Sequence, residues 1–252
     1  MVVTGKSVQV YRDAMSKISQ GAASALIQYL WDHNYEIDDE FIDFAHSIAV
    51  TYGEAAGELA CQMYDFLHEY WKEVKATGKR ILPAEPATVP TRSEIENAVY
   101  GTMKTSSKEI PGAVTRLIKR TAEDTTLKNA KRDGAEFAWI PAGDTCAFCL
   151  MLASQDWQSM SKKAMQNGHA KHIHSNCDCT YMVRFDSSME VEGYDPKAYL
   201  KLYEEGANAP YINEDIDHPQ PKQQSKRQLN GLRRMMNDDP KIGKYIKEIT
   251  VD

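Results

Sequence analysis

Apolar residues recur every three or four positions along the first third of the chain, and this spacing predicts two long helices. The first spans about residues 6–31, and the second spans about residues 39–75. The stripe of the first helix contains Val10, Met15, Ile18, Ala22, Ala25, Leu26 and Leu30. The stripe of the second contains Phe41, Phe44, Ile48, Tyr52, Leu59, Met63, Phe66, Leu67 and Tyr70. We interpret the aromatic residues of the second stripe as core, because apolar residues at helical spacing share one face.

The middle of the chain contains a break followed by two further helical patterns. Residues 78–92 hold three prolines and few large apolar side chains, which indicates an extended linker. Ser93 and Glu96 have the spacing of a capping box and predict a helix over about 93–105. Pro111 suits the first turn of a fourth helix that continues to about residue 132.

The pattern changes to short alternating segments after residue 134. The string AEFAWIP, 135–141, and the string TYMVRF, 180–185, predict two strands. Asp195 followed by a proline predicts the start of a helix that Gly206 would end. A basic amphipathic pattern over about 225–236 predicts a last helix.

These elements predict an α+β fold that is predominantly α-helical. Long helices form the N-terminal half, and a small module rich in Cys and His forms much of the C-terminal half. The expected regions are a helical region at 1–77, a Pro-rich linker at 78–92, middle helices at 93–134, the Cys/His-rich module at 135–206, and a loop with a basic helix at 207–252.

Composition and charge narrow the class of protein. Of the 252 residues, 42% are hydrophobic and 26% are charged, which is typical of a globular protein. No apolar run is long enough to cross a membrane, and the N-terminus lacks the pattern of a secretory signal, so we expect folding in a cytoplasm. The net charge of −6 is divided into blocks, with −10 over residues 31–73 and +4 over residues 219–252. Such blocks suit a protein that contacts charged neighbours, although solvated helix faces alone could also produce them.

Four of the five cysteines lie in the strings TCAFCLMLAS, 145–154, and HIHSNCDCTY, 172–181. The first string contains a CxxC pair and the second a CxC pair, so two pairs could close a tetrahedral zinc site. Thiolates are soft ligands that suit zinc. The candidate ligands are Cys146, Cys149, Cys177 and Cys179, with His172 or His174 as a replacement for one cysteine. The remaining cysteine, Cys61, is expected to be a small buried apolar residue.

Other interpretations of this cluster remain open at the level of sequence. A redox-active CxxC pair requires a βαβ setting, which the predicted elements lack. The thiols could simply be reduced and packed, or could form disulfides after release from the cell. A catalytic Cys–His pair lacks an identifiable orienting acid, and the string HIHSN resembles the metal-binding turn of some nucleases only weakly. We therefore assign no catalytic residue and no cofactor-binding residue besides the metal ligands.

Three strings of the chain resemble one known family. DTCAFCLMLAS, HIHSNCDCTYMVRF and VEGYDPKAYLKLYE are similar to the C-terminal module of MuF-like minor capsid, or head morphogenesis, proteins of tailed bacteriophages. The type found in phages of Gram-positive hosts is similar over roughly residues 10–205. The resemblance places the family's characteristic positions on Cys146, Cys149, His174, Cys177 and Cys179. The chain has Asp178 where the family commonly has Arg.

The resemblance implies a structural and assembly role inside the phage head, near the portal, after synthesis in the host cytoplasm. The implied partners are the portal protein and the major capsid protein, with a structural Zn²⁺ in the Cys/His-rich module. Basic residues within 116–132 and 222–247 could contact packaged DNA without sequence preference. The main alternative is a metal-dependent hydrolase, either a nuclease or a capsid maturation peptidase, that uses His172 or His174. A DNA-binding regulator is a third class, and the pI near 5.7 argues against it.

Overall fold

A computed structural model describes residues 2–75, 82–143, 145–159, 179–208 and 221–238 of the chain. The described helices are α1 (Gly5–Asp32), α2 (Asp39–Lys75), α3 (Arg92–Met103), α4 (Ile110–Asp133), α5 (Ala147–Ala153), α6 (Pro196–Ala207) and α7 (Pro221–Asp238). The described strands are β1 (Val2–Val3), β2 (Glu136–Ile140), β3 (Gln158–Ser159), β4 (Thr180–Arg184) and β5 (Glu190–Val191). This arrangement confirms the predominantly helical α+β class.

Four helices enclose the first of two hydrophobic cores, which we call the helical core. It lies between the C-terminal half of α1, the N-terminal half of α2, α3 and the first part of α4. Its fully buried members include Leu26, Leu30, Phe41, Ile42, Ile95, Val99, Ile110, Val114 and Ile118, with several alanines. Small residues allow these helices to approach closely, and the buried residues recur at the spacing that the sequence predicts.

The second core lies around a small sheet, and we call it the mixed core. Antiparallel strands in the order β3-β2-β4 form the sheet, and Ile140 pairs with Thr180 at one end of the β2–β4 ladder. A separate parallel pair joins β1 to β5. Tyr64, Leu67, Trp71, Phe137, Trp139, Leu150, Tyr181, Tyr199 and Leu232 are among the buried residues of this core. The mixed core is therefore built from the sheet, α5, α6 and α7 together with parts of α1, α2 and α4.

Three helices extend through both cores and join them. α1, α2 and α4 each contribute buried residues to the helical core and to the mixed core. Arg12 in α1 also donates hydrogen bonds to the carbonyl oxygens of Ile140 at 3.2 Å and Pro141 at 2.6 Å, at the end of β2. The position of the sheet is thus set directly by the N-terminal half of α1.

The described part of the predicted linker, residues 82–90, has no helix or strand and lies against α2 and α4. Its backbone is bonded by side chains of those helices. Asp65 accepts a hydrogen bond from the Ala84 amide at 2.8 Å, and Asn129 both accepts from the Glu85 amide and donates to the Glu85 carbonyl. We call this segment the strap, because its main chain is held along its length.

Two local predictions about helix ends are wrong. The third helix is capped by Thr91 with Glu94, and the pair Ser93 and Glu96 does not form the capping box. Gly206 does not end α6, which continues to Ala207. A Cβ atom at Gly206 would lie 2.6 Å from the Cα of Leu232, so this glycine permits the close contact of α6 with α7.

Two large residues of the predicted helical stripes are on the surface. Val10 is 60% exposed and Phe66 is 47% exposed, whereas the other stripe residues named above are buried or half-buried. Periodicity alone also did not predict α5, β3, or the pairing of β1 with β5. Each of these elements has at most seven residues, which is too short for a repeat to be recognised. No helix among the described residues is long and apolar enough to span a membrane.

Candidate metal centre

The CxxC motif lies at the start of α5, directly after the loop that follows β2. Cys146 is the N-cap residue of this helix, and Cys149 is its third residue. Cys149 is buried, and Cys146 is partly exposed. The two cysteines of the motif are therefore held on the first turn of one short helix.

Strand β4 brings Cys179 to the same corner of the fold. Cys179 immediately precedes β4, and the pairing of Ile140 with Thr180 places it beside the loop that leads into α5. The hydroxyl Oγ1 of Thr145 lies 3.1 Å from Sγ of Cys179. Cys179 of the second motif is therefore a neighbour in space of Thr145, the residue that precedes Cys146.

The other predicted ligands lie outside the described residues. His172, His174 and Cys177 fall in the segment 160–178, for which no placement is described. Within the described ranges, no group of three or more Cys, His, Asp or Glu residues is arranged to hold a metal ion. The ligand set Cys146, Cys149, His174, Cys177 and Cys179 thus stays a prediction, with three of its five members on two adjoining elements.

The donors that are described fit zinc in their chemistry. Cys146 and Cys149 come from one tight turn, and Cys179 comes from the end of a neighbouring strand, as in structural sites built from two knuckles. Thiolate ligands select zinc over hard cations such as Mg²⁺. If zinc binds here, these residues would hold it as a cross-link between the α5 turn and the sheet.

A buried carboxylate, which the sequence did not single out, lies behind this corner. Glu123 in α4 is 6% exposed and accepts hydrogen bonds from the Tyr181 amide at 3.0 Å and from Oγ1 of Thr180 at 3.3 Å. Burial raises the pKa of Glu123 to about 8, although both hydrogen bonds act to lower it. The charges of Asp124 and Cys179 raise this pKa further. The sequence could have pointed to Glu123 because this acid lies on the core-facing side of α4, between Ala122 and Leu127.

The phenol of Tyr11 completes the polar cluster from the side of α1. Burial, followed by the charge of Glu123, raises its pKa, and a hydrogen bond with Thr180 acts in the opposite direction. Tyr11 and Glu123 thus contact the same residue of β4 from two different helices. This arrangement holds the first residues of β4, and with them Cys179, against the helices.

The geometry favours a structural role for this cluster over a catalytic one. Glu123 is enclosed, and its carboxylate bonds to the backbone and side chain of β4. A general base must reach its substrate within hydrogen-bond distance, and a carboxylate enclosed in this way does not meet that requirement. The histidines of the hydrolase hypothesis lie outside the described residues, and no described contact favours hydrolysis.

The basic surface predicted on α4 is partly used inside the molecule. Arg120 pairs with Glu94 at 2.7 Å, and Arg132 pairs with Asp133 and donates to the carbonyls of two strap residues. Lys128 pairs with Glu85 at 3.3 Å. These cations stabilise the packing of α4 against its neighbours, which reduces the basic surface that the helix could offer to DNA.

The comparisons with known proteins place most of this architecture in one family. A family model described as VG15 protein matches residues 2–206, which covers α1 through most of α6 and includes the whole candidate centre. No curated protein and no solved structure matches the chain.

Proposed function

Because the chain belongs to the VG15 family of phage proteins, we propose that it is a minor capsid protein with a head morphogenesis role. In this proposal the protein acts inside the head near the portal and contacts the portal protein and the major capsid protein. Any contact with packaged DNA would be non-specific and secondary. The resemblance of the cysteine strings to MuF-like proteins supports this assignment within the phage family.

We further propose that the Cys/His-rich module is stabilised by one structural Zn²⁺. The ligands would be four of Cys146, Cys149, His174, Cys177 and Cys179. The observation that carries this proposal is the 3.1 Å contact between Thr145 and Cys179, which joins the CxxC turn to the second motif. Zinc held in this way contributes to folding, since its ligands are far apart in an unfolded chain.

The zinc proposal is tested by metal analysis of matched cysteine variants. Protein purified under reducing conditions should contain one equivalent of zinc, and Cys149→Ser should lose most of it. Cys61→Ser is the control, because Cys61 is also buried but lies in α2, within a different environment. Chelation should lower the thermal transition of the wild type and of Cys61→Ser. Zinc-free protein whose thermal transition chelators leave unchanged would contradict the proposal.

The capsid role is tested on particles. Mass spectrometry of gradient-purified virions should find the chain in a small, constant number of copies relative to the major capsid protein. A phage carrying a stop codon early in the gene should produce defective heads. Normal infectious particles that lack the chain would rule out the capsid role, and metal-dependent cleavage of DNA or capsid protein by the pure chain would favour a hydrolase instead.

A further inference from the structure

The turn between α1 and α2 carries exposed large apolar side chains. Trp31 is 69% exposed, Ile27 is 53% exposed and Tyr35 is 40% exposed. Ile27 and Trp31 are one helical turn apart, so they lie on the same face of α1. Tryptophan and tyrosine are enriched among the residues that carry most of the binding energy of protein interfaces. We call residues 27–40 the tip.

The tip is an ordered turn, and its internal contacts do not cover Trp31. The ring of His33 stacks on Tyr29 with 3.9 Å between the centroids, and Tyr29 stacks on Phe44 of α2 at 4.4 Å. Nδ1 of His33 also lies 2.8 Å from the Tyr29 carbonyl oxygen. Trp31 makes no ring contact with any residue that the structure describes. Its indole therefore lies on the outside of a turn that other aromatic rings hold in place.

The charge around the tip limits which partner it can bind. Residues 32–43 contain six acidic residues and no Lys or Arg. Arg92 from α3 pairs with two of these acids, so part of the charge is neutralised within the molecule. Asp32 and Glu36 are exposed, and neither makes an ion pair with a described residue. The tip therefore favours a surface that offers an apolar pocket beside a positive charge, and it repels nucleic acid.

The other end of the α1–α2 pair offers such a pocket, which we call the groove. A cavity of about 370 Å³ lies between the two helices, with Val10 on the α1 side and Leu59, Met63 and Phe66 on the α2 side. Val10 is 60% exposed and Phe66 is 47% exposed, so the cavity is open to solvent. None of the described residues that line it is a predicted metal ligand. Its volume equals that of about twelve water molecules at about 30 Å³ each, which is enough for an indole ring.

The charges beside the groove differ between its two helices. Lys6 is the one charged side chain among the described residues that line the cavity, and Lys17 lies three turns further along the same face of α1. Both lysines are exposed, and with the exposed Asp13 between them the net charge of this flank is +1. On the α2 flank, Glu58 accepts a hydrogen bond from the exposed Gln62 at 3.3 Å. The α1 flank therefore attracts an acidic partner, and the α2 flank repels it.

The tip cannot reach the groove of its own molecule. Val10 at the groove and Trp31 at the tip belong to one continuous helix. The 21 residues between positions 10 and 31, at about 1.5 Å per residue, correspond to about 32 Å. A contact between the tip and the groove must therefore join two copies of the chain.

We propose that the tip of one copy docks into the groove of a second copy. Trp31 enters the cavity between Val10 and Phe66. The acids of the tip lie on the α1 flank, beside Lys6 and away from Glu58. Contact between two different surfaces is heterologous, so successive copies add head to tail, as a closed ring or an open chain. This inference does not depend on the proposed function.

The first test is the mass of the full-length protein over a wide range of concentration. Sedimentation velocity should show reversible association beyond the monomer. Trp31→Ala should weaken association at least about thirtyfold, the loss expected when a central interface tryptophan is truncated. Leu200→Ala is the matched control, because Leu200 is a 42% exposed apolar residue of α6 that belongs to neither surface, and association should be unchanged.

The second test reverses one charge on each flank of the groove. Lys6→Glu should weaken association and Glu58→Lys should strengthen it, each by about threefold to tenfold, because attraction and repulsion are exchanged at the rim of the interface. Raising the salt concentration should reduce both effects, since exposed charges are screened. Two reversals that change association in the same direction would contradict the docking orientation.

The third test distinguishes head-to-tail docking from a symmetric contact. Val10→Glu places an acid in the groove and leaves the tip intact, whereas Trp31→Ala leaves the groove intact. Each variant alone should be monomeric where the wild type associates. When the two are mixed, one productive contact remains for each pair, so they should form a one-to-one dimer that does not grow further. Circular dichroism of each variant should match the wild type, since both side chains are exposed.

Four results would overturn the proposal. A wild type that remains monomeric at every concentration would exclude self-docking. Association that Trp31→Ala leaves intact but Val10→Glu abolishes would show that the groove binds a different segment. A mixture of the two variants that stays monomeric would show that tip and groove do not contact each other. A monomeric wild type whose incorporation into phage particles depends on Trp31 would assign the tip to a different protein.

Discussion

The helical core and the mixed core are stabilised in different ways, although α1, α2 and α4 contribute to both. The helical core is made almost wholly of Ala, Leu, Ile and Val, with Phe41 as its fully buried aromatic residue. The mixed core contains Tyr, Trp, Met and Cys, and several of its aromatic residues end in a polar atom. The first therefore depends on apolar burial, whereas the second also requires that particular polar atoms find partners.

The polar contacts of the mixed core show how such a core specifies its arrangement. Tyr64 donates to Asp133 at 2.9 Å, and the indole of Trp71 donates to Asp186 at 2.7 Å. Tyr194 donates to the carbonyl of Ala153 at 2.9 Å. The first bond joins α2 to α4, the second joins α2 to the segment after β4, and the third joins α5 to the loop before α6. The comparison indicates that apolar packing dominates inside the helical core, while the mixed core also depends on directed hydrogen bonds in its interior.

The largest effect should come from a cavity in the helical core. Ile118 is fully buried, and Ile118→Ala should lower the free energy of unfolding by about 2–5 kcal/mol. Urea unfolding followed by circular dichroism measures this change. Ile27→Ala, at a 53% exposed site on α1, should change stability by less than about 0.5 kcal/mol. Equal effects at the two sites would mean that the helical core is not the source of stability assigned to it.

A smaller loss of stability should follow when one hydroxyl oxygen is removed from the mixed core. Tyr64→Phe deletes the hydroxyl that donates to the Asp133 carboxylate, so the free energy of unfolding should fall by about 1.5–3 kcal/mol. The same urea titration measures it, with the 40% exposed Tyr35→Phe as the control. If both Tyr-to-Phe changes are neutral, directed hydrogen bonds do not distinguish the two cores.

The buried carboxylate should give the mixed core a dependence on pH that the helical core lacks. In the folded protein Glu123 has its pKa raised to about 8, whereas the ordinary pKa of a free glutamate is 4.5. Between these values the folded state binds more protons than the unfolded state, so stability falls as pH rises.

Glu123→Gln cannot ionise and should remove this contribution. The difference in unfolding free energy between wild type and Glu123→Gln should therefore shift against the wild type from about pH 4.5 to about pH 8. Urea midpoints over this range measure the shift, with the exposed Glu54→Gln as the control. A difference that does not vary with pH would show that Glu123 titrates normally.

The smallest effect should be the relief of backbone strain in the turn between α1 and α2. Tyr35 has a φ of 60°, a conformation that glycine adopts without strain. Tyr35→Gly should have a free energy of unfolding up to about 1 kcal/mol higher than that of Tyr35→Ala, because only glycine relieves the strain. Thermal unfolding of Tyr35→Gly beside Tyr35→Ala measures it, since alanine keeps the strain. Glycine that is less stable than alanine would show that the Tyr35 backbone is not strained.

The sequence predicted the long elements well because each repeats its pattern many times. The bounds of α2 are those that its apolar stripe indicated, and Asp195 caps α6 through hydrogen bonds to two amides as expected. Short elements such as α5 carry too few residues to show a period. Glu123 was missed for a different reason, because its partners are supplied by β4, and a single sequence does not show which strand will pack on a helix.

The sequence pointed to the local motifs of the candidate site but not to the distant residues that support it. The CxxC spacing predicted Cys146 and Cys149 as ligands, and the second motif predicted Cys179, which the structure places beside Thr145; that they bind a metal stays a prediction. The contribution of Tyr11 arises only when α1 packs on the sheet. Side chains that support a site from distant elements leave no local motif, so only tertiary structure reveals them.

The strap has a consequence for how this chain can change over evolutionary time. Its hydrogen bonds are made through its own main chain, while the side chains that recognise it belong to α2 and α4. Substitutions at a strap residue such as Glu85 leave those bonds available, but substitutions at Asn129 remove two of them at once. Amino-acid substitutions should therefore be tolerated at strap positions. They should be selected against at the positions of α2 and α4 whose side chains bind the strap.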